Sequence, residues 1–300
     1  MPPAAESESS VREAEASPSE TMRGLLELTR PGNVAAAGVL TFTGAFVADG
    51  LLAPAAIVAA VAATMFATAA GNAVNDYFDR EIDRINRPDR PIPRGAVSAR
   101  GALWFSVALF AGAVVSAAVL PVTAIAIAVV NLVALLAYTE LFKGLPGVGN
   151  VVVAYLTGST FLFGAAAVGG AFETTVLVLF ALSAMATFTR EVTKDVEDVA
   201  GDREEGLRTL PIVVGERRSL ALGVAVLAVA VAASVVPFVV GGFGVVYLAL
   251  VLPADGVMLW GAARAFADPS AGQTRLKQGM FLATAAFIAG RITASGGVPA

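Results

Sequence analysis

The chain has 300 residues, 57% hydrophobic and 15% charged, with 20 basic and 24 acidic residues and a net charge of −4. Soluble domains run at about 25% charged, so a cytosolic globular enzyme and a disordered chain are excluded. A net negative chain also offers no general basic surface to nucleic acid. Cysteine and histidine are both absent. Their absence removes disulfides, thiolate and Ser-His nucleophiles, haem ligation by His, and metal sites built on Cys or His; any metal must take oxygen ligands.

Residues 1–20 are rich in Ser, Glu, Ala and Pro. They lack the apolar stretch of a signal peptide and read as a disordered acidic tail. From Thr21 onward come nine apolar segments, at 24–47, 52–75, 101–120, 122–141, 148–169, 174–194, 218–239, 241–264 and 277–297. Crossing a bilayer takes roughly 20 residues. Backbone polar groups in hydrocarbon must be satisfied internally, and the ten-residue alternation of a barrel is missing, so the segments predict helices. Their many Ala and Gly residues suit close helix packing in lipid. The fold class expected is all-α, a polytopic membrane bundle of nine transmembrane helices over residues 21–300.

Basic residues set the orientation. They collect in the N-terminal segment (Arg12, Arg23, Arg30) and after segment two (Arg80, Arg84, Arg87, Arg90, Arg94, Arg100). They recur after segment four (Lys143), segment six (Arg190, Lys194, Arg203, Arg208, Arg217, Arg218) and segment eight (Arg264, Arg275, Lys277). The connections after segments one, three, five and seven have none. The positive-inside rule then places the N-terminus and the charged loops in the cytoplasm, in a multi-pass protein of the cell membrane. A weak internal repeat accompanies this pattern. Asp79 and Asp83 map onto Asp198 and Asp202, Pro91-Ile92 onto Pro211-Ile212, and Gly95 onto Gly215. The repeat suggests two pseudo-symmetric halves, about 21–145 and 146–300, with one site between them.

Two acidic clusters carry the chemistry. In NAVNDYFDREID, Asn75, Asp79 and Asp83 are spaced i, i+4, i+8 and project from nearly one helix face, with Asp76 at its edge. In KDVEDVAGD, Asp195, Asp198 and Asp202 are spaced i, i+3, i+7. Stacked carboxylates repel one another, and nothing in the folding of a bundle asks for this twice. A divalent cation answers it, and Mg²⁺ fits best, because it takes a few carboxylates and shares phosphate oxygens with a substrate. Basic residues interleave: Arg84, Arg87, Arg90, Lys143, Lys194 and Arg203 are the candidates for phosphate or diphosphate contact. The sequence therefore points to a two-metal diphosphate site at the cytoplasmic surface, above an apolar interior. The implied substrate has an anionic head and a long apolar tail.

The stretches NDYFDREIDRINRPDRPIPRG and REVTKDVEDVAGDREEGLRTLPIVVG resemble the two signature loops of the UbiA superfamily of intramembrane prenyltransferases. Within it the chain is most similar to the branch that builds archaeal ether lipids. The resemblance runs from about Thr29-Arg30-Pro31-Gly32-Asn33 to the last helix. It implies nine helices around a central cavity, with a cytoplasmic cap formed by the two loops. It also implies two Mg²⁺ ions held by Asn75, Asp79, Asp83, Asp198 and Asp202, with Asp195 preceding the second motif, and the reading of the residues adds Asp76 as a further oxygen ligand. The implied donor is geranylgeranyl diphosphate, and the acceptor is a lipid-like glycerol phosphate, geranylgeranylglyceryl phosphate. No protein partner is evident beside the membrane lipids.

Such a reaction fits the physics. Charge grows on the leaving diphosphate, and cations aimed at it stabilise the transition state. A dry cavity shields the allylic cation, with Phe42, Phe46, Phe66, Phe161 and Phe163 as candidate liners, although for any one of them plain packing against a neighbouring helix is the stronger reading. The base stays open between an acid of the second cluster (Asp195, Asp198 or Asp202) and the departing diphosphate. Arg30, Arg190 and Arg203 could receive an acceptor phosphate. Asp255, beside Pro253, reads either as a functional intramembrane acid or as a partner for a neighbouring helix. Asn131 reads as an interhelical hydrogen bond. Three rivals are a UbiA-type enzyme with an aromatic acceptor, a CDP-alcohol phosphotransferase, whose DGxxAR signature is missing, and an ion-coupled transporter, which would place its carboxylates mid-bilayer.

Overall fold

The structure, a computed structural model, describes residues 17–48, 52–138, 142, 145–204, 206–240 and 242–295. Among these the chain is all-α. Helices α1 (Pro18–Thr29), α2 (Pro31–Val47), α3 (Pro54–Phe78), α4 (Arg80–Asn86) and α5 (Ala99–Ala117) come first. Next are α6 (Val122–Ala137), α7 (Val148–Ala167), α8 (Thr174–Glu197), α9 (Val199–Glu204) and α10 (Leu210–Val214). The last four are α11 (Glu216–Ala233), α12 (Val236–Val239), α13 (Val245–Arg264) and α14 (Pro269–Ser295).

Among the described residues, six stretches are long and apolar enough to cross a membrane: α3, α5, α7, α8, Glu216–Val239 and α13. This makes a multi-pass membrane protein. Helices α2 and α6 are apolar but shorter. The differences from the nine expected segments have local causes. The first segment breaks at Arg30, which adopts φ 52 and donates its backbone N–H to the Glu27 carbonyl, ending α1. Pro31 then opens α2, where a missing N–H costs nothing. As far as residue 295 the last segment lies inside α14, whose early turns carry Gln273, Arg275, Lys277 and Gln278, and residues 296 and 297 lie outside the described ones. The acidic tail was expected to run to residue 20, but Ser17 caps α1 by accepting from the Glu20 N–H. Residues 1–16 lie outside the described ones.

The described residues pack as two compact units, those within 1–34 and 66–112, and those within 35–65 and 113–300. They do not coincide with the halves suggested by the sequence repeat, since packing and not internal similarity defines them. In the first unit Leu28 of α1, Ala73 of α3, Val97 just before α5 and Ala102 in its first turn form a small core. Asn72 Nδ2 donates to the Thr29 carbonyl at 2.8 Å, which fastens the end of α1 to α3. Glu27 adds a second tie, to Arg94 at 2.7 Å and Arg23 at 2.9 Å. Its hydrogen bond to Arg94, helped by that to Arg23, holds its carboxyl below the ordinary range.

In the second unit small residues bring backbones together. A Cβ on Gly44 of α2 would overlap the Phe161 carbonyl of α7, and one on Gly164 of α7 would overlap the Thr41 carbonyl of α2. An aromatic core of Phe161, Phe243, Tyr247 and Phe287 joins α7, α13 and α14. Asn131 behaves as expected, with Ser159 Oγ donating to its Oδ1 at 2.9 Å across α6 and α7. Asp255 accepts from Ser234 Oγ at 2.6 Å, and Tyr247 donates to the Ser234 carbonyl at 2.7 Å. This ties α13 to the end of α11. Phe161 and Phe163 are buried in packed clusters, whereas Phe42 and Phe66 keep 36% and 39% of their surface.

Candidate functional site

Both acidic clusters are built by one local device. Helix α3 ends at Phe78, and Asp79 takes φ −81, ψ 0 before α4 begins. Helix α8 ends at Glu197, and Asp198 takes φ −91, ψ 2 before α9. In each case the middle acid of the cluster sits in the bridge region between a long helix and a short one. Backbone bonds still run through the junction: Asp79 N–H to Asn75 O at 2.9 Å and Asp83 N–H to Asp79 O at 2.8 Å. The second cluster repeats them, Asp198 N–H to Lys194 O at 2.9 Å and Asp202 N–H to Asp198 O at 3.0 Å. Each short helix leads to a Pro-Ile pair, in a turn after α4 and inside α10 after α9, and then to a glycine with positive φ, Gly95 at 79° and Gly215 at 94°. Only a glycine adopts that conformation readily.

In the first unit the four donors divide by face. A step of four residues advances roughly 40° around a helix, so Asn75, Asp79 and Asp83 drift and Asp83 arrives beside Asp76. Asp76 and Asp83 are buried, at 4% and 5% exposure, while Asn75 and Asp79 face outward. Arg90 Nη1 donates to Asp83 Oδ2 at 2.6 Å and to Asp76 Oδ1 at 3.1 Å. Arg30 Nη2 donates to the same Asp76 Oδ1 at 2.5 Å. The second oxygen of each carboxylate takes no part in these pairs. Thus two carboxylates converge on one cationic nitrogen.

In the second unit Asp195 accepts from Asn150 Nδ2 of α7 at 2.8 Å. Asp202 accepts from Thr209 Oγ1 at 3.0 Å. One turn before Asp195, Glu191 is buried and paired with Arg190, whose Nε is buried without a hydrogen-bond partner. Tyr138 lies within electrostatic reach of Glu191, Asp195 and Asp202. Asp198 faces outward.

The phosphate candidates separate accordingly. Arg90 is a counter-ion of Asp76 and Asp83, and Arg84 pairs with Glu81 at 2.8 Å. Arg87, Lys194 and Arg203 are exposed and form no ion pair with a described residue. Lys143 lies outside the described residues. Asn150, Thr209 and Glu191 escaped the sequence reading. Only Glu191 left a signal there, four residues before Asp195 on the same stripe.

Among the described residues no three acids stand close enough to hold one ion. The donor set nevertheless suits a hard divalent cation: carboxylate and amide oxygens alone, two of them already focused on a point of positive charge.

Residues 37–285 match the model of the UbiA prenyltransferase family. A protein of Haloquadratum walsbyi named digeranylgeranylglyceryl phosphate synthase is 62% identical over 279 residues, 93% of this chain and 98% of that protein. The chain belongs to the UbiA prenyltransferase family. Among solved structures, one concerned with digeranylgeranylglyceryl phosphate synthase in membranes superposes with a TM-score of 0.78 at 32% identity, over 91% of this chain and 99% of that one. A UbiA homologue from Archaeoglobus fulgidus bound to GPP and Mg²⁺ shares the fold, with a TM-score of 0.66 at 19% identity over 91% of this chain and 99% of that one.

Proposed function

We propose that this UbiA protein transfers a geranylgeranyl group from geranylgeranyl diphosphate to the free glycerol hydroxyl of geranylgeranylglyceryl phosphate. The product is an archaeal diether lipid precursor. The observation that carries the reading is the doubled helix-end device, which sets an acidic cluster after a membrane-length helix twice in one chain. The name of the Haloquadratum relative, over nearly its whole length, supports the choice of substrates. The GPP and Mg²⁺ in the Archaeoglobus homologue support a prenyl diphosphate and a divalent metal.

In this reading Asn75, Asp76, Asp79 and Asp83 from the first cluster, with Asp195, Asp198 and Asp202 from the second, hold two Mg²⁺ ions. The metal supplies positive charge against the diphosphate oxygens as the allylic C–O bond stretches. Asn150 and Thr209 keep Asp195 and Asp202 oriented by donating to them. Arg87, Lys143, Lys194 and Arg203 supply cations to the two phosphate-bearing substrates, and nearby carboxylates already engage Arg30, Arg84, Arg90 and Arg190. The apolar helices exclude water from the allylic cation. Nine helices span, with the N-terminus and both acidic loops cytoplasmic, and the loops cap a central cavity.

The test incubates purified protein and Mg²⁺ with radiolabelled geranylgeranyl diphosphate, offering geranylgeranylglyceryl phosphate and aromatic acids separately. Label is expected in the ether lipid product. Label only in an aromatic product would defeat the choice of acceptor. Asp79→Ala and Asp198→Ala are each expected to abolish turnover while the protein stays in the membrane. Near-normal activity in either would remove the metal assignment.

A further inference from the structure

Arg90 stands where a cation ligated by both Asp76 and Asp83 would have to stand. Its Nη1 is 2.6 Å from Asp83 Oδ2 and 3.1 Å from Asp76 Oδ1. The side chain is 19% exposed, and the two carboxylates 7% and 6%. With Arg30 also on Asp76, two carboxylates face two guanidinium groups, and this group of four is neutral. Buried charges persist only when compensated in this way. A guanidinium is also the group best shaped to grip phosphate oxygens.

We propose that Arg90 is an exchangeable counter-ion. In the ligand-free protein it neutralises Asp76 and Asp83. When a divalent cation takes those oxygens, Arg90 is released to the diphosphate that arrives with the metal. The proposal rests on the metal-diphosphate reading above and adds a consequence to it. Alone, the cation must displace a hydrogen-bonded guanidinium and leaves the cluster with excess positive charge, so it binds weakly. The diphosphate removes that excess and accepts the freed donors of Arg90. Metal and diphosphate therefore strengthen each other's binding, and by linkage to the same extent in both directions. Arg30 touches Asp76 alone, so its removal frees no oxygen of Asp83.

The experiment titrates the full chain with Mn²⁺ in the absence of substrate and reads the free ion by electron paramagnetic resonance. Arg90→Gln is expected to tighten Mn²⁺ binding by about tenfold, within the usual range of such couplings. Arg30→Gln removes the same charge and is expected to tighten it less. Unchanged or weaker binding in Arg90→Gln, or an equal gain in Arg30→Gln, would overturn the exchange. Should Arg90→Gln fail to fold, Arg90→Lys decides alone. Its single point charge grips the pair less well, so tighter binding than wild type supports the proposal, and equal or weaker binding overturns it. Wild-type protein that takes up no Mn²⁺ even beside a prenyl thiolodiphosphate would end both this proposal and the metal reading. Wild-type uptake with an indifferent Arg90→Gln would end this proposal alone.

Discussion

Asn150 and Thr209 hold two of the carboxylates on which the proposed chemistry depends, and neither is acidic or basic. A hydrogen bond to a charged group is worth about 1.5–3 kcal/mol. If the Asn150 bond holds Asp195 in its working orientation, Asn150→Leu is expected to lower kcat/KM by about ten- to hundredfold. Steady-state turnover with unchanged protein yield measures this; a loss of less than twofold would show that Asp195 orients itself. The acids themselves were legible in the sequence, because their spacing follows the helix repeat and like charges at that spacing need a reason. Their partners were not. Asn150 reaches Asp195 across 45 residues of chain, and Arg30 reaches Asp76 across 46. No periodicity links such pairs. The division of the first cluster into a buried side and an exposed side was not drawn from the sequence either, because the i, i+4, i+8 spacing reads as one face unless the roughly 40° drift per step that brings Asp83 beside Asp76 is followed.

Helix contacts in the second unit depend on having nothing at certain positions. Gly164 and Gly44 allow α2 and α7 to touch backbone to backbone, whereas a Cβ on Gly256 of α13 would meet no atom within 4 Å. Gly164→Val therefore forces the two helices apart, at a cost of about 3 kcal/mol, the upper end for overpacking. Gly256→Ala gains up to about 1 kcal/mol from helix propensity. Thermal melting in detergent should separate them in opposite directions. A Gly164→Val protein as stable as wild type would mean that α2 and α7 can slide without penalty. At this scale the sequence showed that helices form and roughly where, because apolar length alone decides that. It did not show the break at Arg30, whose left-handed backbone is uncommon for a residue with a side chain. Nor could composition tell which of thirty glycines lie at contacts, because all of them read alike in an Ala- and Val-rich chain.

The absence of cysteine makes the membrane topology directly testable, because each introduced thiol is then the only one. Basic residues crowd alternate connections, and a membrane potential with anionic lipid keeps such loops on the cytoplasmic side. Leu52, Val119, Phe172 and Val239 lie at the other connections and are 95%, 77%, 80% and 73% exposed. Asp89 lies in the exposed turn after α4. In right-side-out vesicles a membrane-impermeant maleimide is expected to label Leu52→Cys, Val119→Cys, Phe172→Cys and Val239→Cys. Asp89→Cys should react only after the membrane is opened. The set also checks the number of crossings. Among the described residues six stretches meet the length and hydropathy for a span, and α2, α6 and α14 must join them to make nine. If α2 did not cross, Leu52→Cys would share a side with Arg23 and Arg30. If α6 did not cross, Val119→Cys and Phe172→Cys would label from opposite sides, since α7 still crosses between them. Labelling of Val119→Cys and Phe172→Cys from outside requires α6 to span, and labelling of Leu52→Cys from outside while an added Arg23→Cys stays protected requires α2 to span. The shortness of both helices would then be met by local thinning of the bilayer or by flanking side chains reaching toward the interface, each a modest cost for a helix a few residues short.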